Sequence, residues 1–330
     1  MGSRLGAKSG AFPTVQVGEV KPLDPAAGNW LVEGLWSWRA VGVLGGPPKS
    51  AKTWLAVDLA LSVASGTKAL EAYPVPKPGR VVFFAAEDAP ARIQERFAGV
   101  ATRRGLSLKS LDLHLLDIPA LRLDDEEDQA RLAQTIKALR PRLLVLDPLV
   151  RMHRSDENSA TEIAALLSFL RRLEREEECA VLLVHHTRKD GGSNSQPGLG
   201  LRGSSDLWAF GDSNLYLRRT RGNLILLSIE HRSAPSPAPV SIALIAEPEP
   251  HLEVAVDHDQ AQDAEGGKDP LSEEILSELE NSPTPLRLEE LRTRLHVRKQ
   301  RIVEALRALT ESNLVERSGE GFVQKQLRFE

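Results

Sequence analysis

Ala40-Val41-Gly42-Val43-Leu44-Gly45-Gly46-Pro47-Pro48-Lys49-Ser50-Ala51-Lys52-Thr53 is the stretch that decides the fold. It reads as a short buried strand, a Gly/Pro loop, and a Lys-Thr pair opening a helix from Trp54 to Ala64. That is the plan of a phosphate-binding loop. Gly46, Pro47, Pro48, Lys49, Ser50, Ala51, Lys52, Thr53 and Trp54 would surround the phosphates, the non-proline residues through backbone N–H groups, and the helix N-terminus adds partial positive charge. Lys52 is expected to reach the β- and γ-phosphates of ATP, and the Thr53 hydroxyl to bind Mg²⁺. The rule G-x-x-x-x-G-K-[ST] is broken once, where Ala51 replaces the second glycine. A glycine there lets the backbone pass close to phosphate without a Cβ.

Working outward, apolar runs alternate with helical patterns as far as residue 186. Strands are expected at Val41–Leu44, Arg80–Ala85, Leu113–Leu116, Leu143–Leu146 and Val181–Val184. Their near-continuous apolar character suits a parallel sheet covered on both faces. Helices are expected over 52–64, 90–103, 126–139 and 159–177, so the fold class is α/β with right-handed crossovers. The acidic run 124–128 places favourable charge at one helix N-terminus. Residues 190–200 read as a flexible loop. Strands at Ser213–Arg218, Asn223–Ile229 and Val240–Ala246 would extend the sheet antiparallel at one edge, the first two as a hairpin.

Three strand ends carry the chemistry. Leu143-Leu144-Val145-Leu146-Asp147 closes four apolar residues with a carboxylate that can hold Mg²⁺, directly or through water. Val81-Val82-Phe83-Phe84-Ala85-Ala86-Glu87-Asp88 places Glu87 where it can take a proton from water aligned on the γ-phosphate. Asp88, just before Ala89-Pro90, is expected to N-cap the next helix, the exchange of roles between Glu87 and Asp88 being the alternative. Val181-Leu182-Leu183-Val184-His185-His186 ends a third strand, and His186 is the candidate sensor of the γ-phosphate. Adjacent strand residues face opposite sides and no Cys or third His lies nearby, so the His pair does not read as a zinc site.

Composition sets bounds. The chain has 330 residues, 41% of them hydrophobic, and a net charge of −4, so there is no global drive toward nucleic acid. Aromatic residues are only 5%, which disfavours an extended base-stacking surface. The single cysteine, Cys179, excludes a disulfide framework and fits a reducing compartment. No run reaches the roughly 18 apolar residues of a membrane span, and residues 1–12 lack an apolar signal core. A cytoplasmic protein is expected. Residues 1–27 read as a disordered lead-in, 28–256 as the core, and the acidic, apolar-poor 257–269 as a linker.

The tail, 270–330, has its own pattern. Helices are expected over 271–280, 288–295 and 297–311, the last with Ile302, Val303, Leu306 and Leu309 inward. A hairpin follows, Leu314–Arg317 and Phe322–Leu327. Three short helices and a β-wing make a winged helix-turn-helix, whose third helix would face DNA with Arg298, Lys299, Arg301 and Arg307. Such modules also contact proteins, and an initiator or other replication protein is the alternative partner.

Taken together, Ala86-Glu87-Asp88, Leu144-Val145-Leu146-Asp147 with downstream Glu157-Asn158-Ser159-Ala160, His185-His186, and Arg202-Gly203-Ser204-Ser205 resemble the RepA family of hexameric replicative helicases of plasmids and mobile elements. The similarity covers about residues 28–235 and keeps the motif order. It implies a RecA-like core with antiparallel edge hairpins, Mg-ATP hydrolysis at subunit interfaces, and a homo-hexameric ring threading single-stranded DNA. By that resemblance the loops 152–160 and 188–201 line the channel, and Arg151, Arg154, Arg188 and Lys189 are candidate phosphate contacts. An arginine finger given in trans is also implied. Arg202 and Arg232 are candidates, with Arg202 preferred; Asp212 lies near where some relatives carry the basic residue. The competing function is a nucleotide-switched DNA-binding regulator or assembly scaffold that does not unwind DNA.

Overall fold

A computed structural model describes residues 14–20, 29–154, 160–187, 209–220, 224–255, 270–282, 284–295, 297, 299–311, 314–319 and 321–325. The chain divides into two compact units, Met1–Ala255 and Val256–Glu330. The expected lead-in over 1–27 falls mostly, and the expected linker over 257–269 wholly, outside the described residues.

The first unit is built on one nine-stranded sheet. In chain order its strands are β3 (Val41–Gly46), β4 (Val81–Ala85), β5 (Leu113–Leu115), β6 (Leu143–Asp147), β7 (Ala180–His186), β8 (Ser213–Arg219), β9 (Leu224–His231), β10 (Val240–Ile245) and β11 (His251–Val254). A short hairpin of β1 (Trp30–Val32) and β2 (Trp36–Ser37) precedes them. The spatial order is β11-β10-β9-β8-β3-β7-β6-β4-β5. The six strands from β8 to β5 are parallel, and β9, β10 and β11 continue antiparallel.

Among the described residues, four helices cover the sheet: α1 (Lys52–Ser65), α2 (Pro90–Arg103), α3 (Glu126–Leu139) and α4 (Ala160–Glu177). The period-2 alternation of strand side chains assigns the helices to faces. Phe83, Val145 and Leu182 pack with Leu55 and Leu59 of α1 and Phe97 of α2. Their neighbours Val82, Phe84, Leu144 and Leu183 pack with Ile136 of α3 and Leu166 and Leu170 of α4. Strands buried on both faces have to be apolar throughout, which is why β3, β6 and β7 read as unbroken apolar runs.

Two sequence expectations for this unit need correction. β8 pairs parallel with β3, Leu44 opposite Leu215, so the antiparallel extension begins one strand later than expected. The connection after β7 is long enough for a crossover, and a parallel neighbour requires one. Asp88 is not the cap of α2. The N-cap is Ala89, with Pro90 at the first helical position, and Asp88 turns instead to Arg96 at 2.7 Å. Asp125, in the acidic run, does cap α3, accepting from the Glu127 and Asp128 backbone N–H groups at 3.0 Å.

The second unit contains α5 (Pro270–Glu280), α6 (Leu288–Leu295), α7 (Lys299–Glu311) and a hairpin of β12 (Val315–Ser318) and β13 (Gly321–Gln324). Leu286 bridges to Phe322 and so adds to the hairpin. Ile275, Leu279, Leu291, Ile302, Leu306 and Val315 form its core. Val303, expected inward, is exposed, because Ile302 and Leu306 already set the buried stripe of α7.

Candidate nucleotide site

The parallel strands all end at one edge, and the candidate residues sit there. β3 delivers the loop 46–51, β6 delivers Asp147, β4 leads into Glu87, and β7 ends at His186. β7 lies between β3 and β6, with His186 opposite Gly46. Ligands of open α/β sheets bind at this carboxyl edge. A cavity of about 310 Å³ opens there, lined by Lys49, Ser50, Ala51, Lys52, Thr53, Trp54, Glu87, Arg96, Asp147, Pro148, His186, Arg219 and Leu244. A larger cleft of about 620 Å³, along α4 beside Ala209 and Phe210, contains none of the motif residues.

The loop wraps around the Lys52 ammonium, which donates to the Pro47 carbonyl at 2.8 Å. Burial pulls Lys52 down to about 8, against the pull of the Asp147 and Glu87 carboxylates, which favour its charged form. Asp147 is also buried, and burial pushes it up to about 6, opposed by a hydrogen bond from Thr53 and by the charge of Lys52. The site therefore places an ammonium and a carboxylate, each carrying a desolvation cost, close together.

Ala51 occupies the left-handed region, φ 66° and ψ 24°, as the N-cap of α1, and makes no side-chain cap. Lys49 shares that conformation at φ 62°. The glycine expected at position 51 thus serves backbone geometry as well as close approach, and alanine adopts it with strain. The first N–H groups of α1 consequently have no side-chain partner from the N-cap and face the cavity end of the helix. Ser50 Oγ is fully buried without a hydrogen-bond partner.

These features fit a triphosphate with its cation. An uncapped helix N-terminus, a buried hydroxyl lacking an acceptor and a desolvated ammonium suit phosphate oxygens. Thr53 Oγ1 and the Asp147 carboxylate, already hydrogen-bonded, form an all-oxygen set of the kind that holds Mg²⁺.

Glu87 is at the rim. Its Oε1 accepts from Arg151 Nε at 2.7 Å, so Arg151, expected to contact DNA phosphate, is here paired with the candidate base. Arg154 is exposed, with its backbone N–H held by Asp124 Oδ2 at 2.6 Å. Arg188, Lys189, Arg202 and Arg298 lie outside the described residues, and the side chains of Lys299 and Arg301 on α7 are likewise outside them. Asp212 anchors the start of β3 by accepting from the Val41 N–H at 3.1 Å, and pairs with Arg171 and Arg232. Arg232 follows β9 with a side chain 61% exposed, at the sheet edge opposite the nucleotide loop.

Two site residues escaped sequence reasoning. Arg96 reaches the cavity from α2, its guanidinium 5.7 Å from the Trp54 ring centre. Arg219, at the end of β8, donates from Nε to the Lys49 carbonyl at 2.9 Å. Neither belongs to a motif. Arg219 becomes visible only once β8 is known to run parallel beside β3.

A DnaB-like replicative helicase, solved with its interactions with primase, shares the fold: TM-score 0.52 and 16% identity over 66% of this chain and 59% of that one. This chain thus spans about three-fifths of the helicase. A crystal structure of the RadB recombinase aligns over 66% of this chain and 91% of its own, at 19% identity and a TM-score of 0.48. A family model described as an AAA domain matches residues 7–192, more than half of the chain. The candidate loop and the strands that deliver Glu87, Asp147 and His186 all fall inside that match, so the protein belongs to the AAA-domain family.

Proposed function

We propose that the protein hydrolyses Mg-ATP as a RepA-like, ring-forming motor on DNA. One observation carries the catalytic part: Lys52, Thr53, Asp147, Glu87 and His186, distant in sequence, line one cavity at one sheet edge. In this reading the loop and Lys52 bind the β- and γ-phosphates. Thr53 and Asp147 hold Mg²⁺, which supplies charge neutralisation at the phosphates when bound. Glu87 accepts a proton from water as the water oxygen bonds to the γ-phosphorus. The bond from that phosphorus to the bridging oxygen breaks, and ADP leaves with the electron pair. His186, at the end of β7 beside Gly46, senses the γ-phosphate.

The DNA and ring parts rest on the motif resemblance and on exposed cations. Arg151 and Arg154 follow β6 at the same edge as the nucleotide cavity. Arg202, outside the described residues, stays the preferred finger given to a neighbouring subunit, and the exposed Arg232, paired with Asp212, is the other candidate. The second unit, three helices with a hairpin, supports reading residues 270–330 as a winged helix that recruits DNA or a replication protein.

The experiment is ATPase turnover with and without single-stranded DNA, beside light scattering with a nonhydrolysable nucleotide. Glu87→Gln is expected to bind ATP and to slow hydrolysis by roughly 10²–10⁴, the weight of a general base. Parent-like turnover in that variant removes Glu87 from its role. A species that stays small with nucleotide and DNA removes the ring and favours the nucleotide-switched regulator.

A further inference from the structure

We propose that the cleft along α4 is a second ligand site, separate from the nucleotide cavity, for a small organic anion: a carboxylate or phosphate carried on a planar apolar body. The proposal does not depend on the reading of the nucleotide site. At about 620 Å³ the cleft is larger than the nucleotide cavity, at about 310 Å³, and has the size of a compact ligand's pocket. Its apolar lining comes from Ala164 and Leu167 of α4 and from Ala209 and Phe210, which lead into β8. Arg172 and Arg175 line it from the same helix.

The arginines divide by what they already hold. Arg171 is committed. It pairs with Asp212 through Nη1 and donates from Nη2 to Asp212 Oδ1 at 3.2 Å and to the Phe210 carbonyl at 2.9 Å. Its guanidinium lies 4.6 Å from the Phe210 ring centre, so it fixes the aromatic wall in place. Carboxylates close by are committed too: Glu174 and Glu178 pair with Arg39 at 3.3 and 3.0 Å. Arg172 and Arg175 are exposed, and among the described residues neither has a carboxylate at ion-pair distance. Arg171 and Arg172 stand four and three positions before Arg175 on one helix, a like-charge arrangement that costs stability until an anion joins it. An anionic oxygen between Arg172 and Arg175 would take charge-assisted hydrogen bonds from both, with the body of the ligand against Leu167 and Phe210. A compact ligand is favoured over a long polyanion. Glu176 lines the same cleft and Glu177 and Glu178 follow it, so an extended chain of phosphates leaving the cleft would meet like charge.

The test is fluorescence titration of the full chain with 8-anilinonaphthalene-1-sulfonate, beside N-phenyl-1-naphthylamine, the same apolar body without the charge. The parent is expected to bind one sulfonate probe per chain, saturably, and more tightly than the neutral amine. A nonhydrolysable ATP analogue with Mg²⁺ should leave that affinity unchanged. Arg172→Gln with Arg175→Gln should weaken the sulfonate by about tenfold or more, the scale of two exposed charged contacts, and leave the amine unaffected. Arg172→Lys with Arg175→Lys, which keeps the charge, should stay within about threefold of the parent. Phe210→Ala should weaken both probes. An unaltered melting temperature shows that the glutamine pair is folded; if it is not, Arg172→Gln alone repeats the test with about a threefold loss. The proposal is overturned by a parent that does not bind the sulfonate, by equal affinity in the parent and the glutamine pair, or by equal affinity of the two probes. Displacement by the ATP analogue overturns it as well, since the probe would then occupy the nucleotide cavity. A dT oligonucleotide or a polyglutamate peptide that displaces the probe at lower concentration than 1-naphthoate does would give the cleft to a macromolecule instead.

Discussion

Lys52 Nζ donates to the Pro47 carbonyl at 2.8 Å, so the loop that is to hold phosphate is closed around its own ammonium. The group is surrounded as an anion-binding group would be, and burial pulls it down to about 8. A triphosphate bound there restores the favourable field and raises Lys52 again. At about pH 8.5, where much of the nucleotide-free Lys52 is neutral, binding should take up a proton. Calorimetry in buffers of differing ionisation heat measures this directly. Lys52→Ala should abolish the uptake and weaken binding. Uptake that persists in that variant assigns the proton elsewhere.

Asp147 predicts the opposite sign. Its carboxyl is raised to about 6 by burial, from an ordinary 3.8. The folded state therefore holds this proton more tightly than the unfolded one. The stability tied to it is fully present below about pH 3.8 and is lost as pH rises through 6. In nucleotide-free protein at neutral pH the ionised carboxylate is a net cost, which a bound cation would offset. Asp147→Asn should leave the melting temperature without Mg²⁺ equal to the parent's or higher, and should remove the stabilisation that Mg-nucleotide gives. A variant that melts well below the parent without Mg²⁺ and still responds to Mg-nucleotide contradicts both halves.

Ala51 tests the departure in the loop. Its φ of 66° is left-handed, a conformation that costs a non-glycine residue about 1–2 kcal/mol. Glycine removes that strain but gives back about 0.5–1 kcal/mol through the unfolded chain's freedom. Ala51→Gly should raise stability by about 0.5–1 kcal/mol, with a melting temperature higher by a few degrees at most, and should not weaken nucleotide binding. Weaker binding would mean that the methyl group itself contributes to the site.

How much of this was legible follows from what each residue does locally. β6 and β7 announce themselves because a strand buried on both faces has to be apolar, and α3 announces itself through the acidic run 124–128 at its N-terminus. Asp147 and Glu87 were legible because a charge ending such a strand emerges at the sheet edge. β1 and β2, three and two residues long, carry too little periodicity to register. The direction of β8 was not legible, since pairing partners are set by long-range packing rather than by the strand's own sequence. The pairing of Arg151 with Glu87 was hidden for the same reason: 64 positions separate them in the chain. Asp88 misled because a carboxylate before Ala-Pro suits a cap, while Arg96, two turns into α2, offered a charge.

Arg219 yields the last prediction. It stands at the end of β8, a strand parallel to β3, and reaches across to the Lys49 carbonyl at 2.9 Å. Lys49 is itself left-handed at φ 62°, so this bond holds the loop at one of its two strained residues. A solvent-exposed hydrogen bond to a backbone carbonyl contributes about 1 kcal/mol net, worth about fivefold in affinity. Arg219→Ala should therefore weaken nucleotide binding by about three- to tenfold while leaving kcat at saturating ATP near the parent's, because Glu87 and Asp147 follow other strands and Thr53 belongs to α1. Arg219→Lys, which keeps a donor but loses the guanidinium's reach and planarity, should fall between the two. Equal affinity in all three proteins would show that the loop keeps its shape without help from β8, whereas a collapse of kcat at full saturation would move Arg219 from holding the loop to acting on the phosphates.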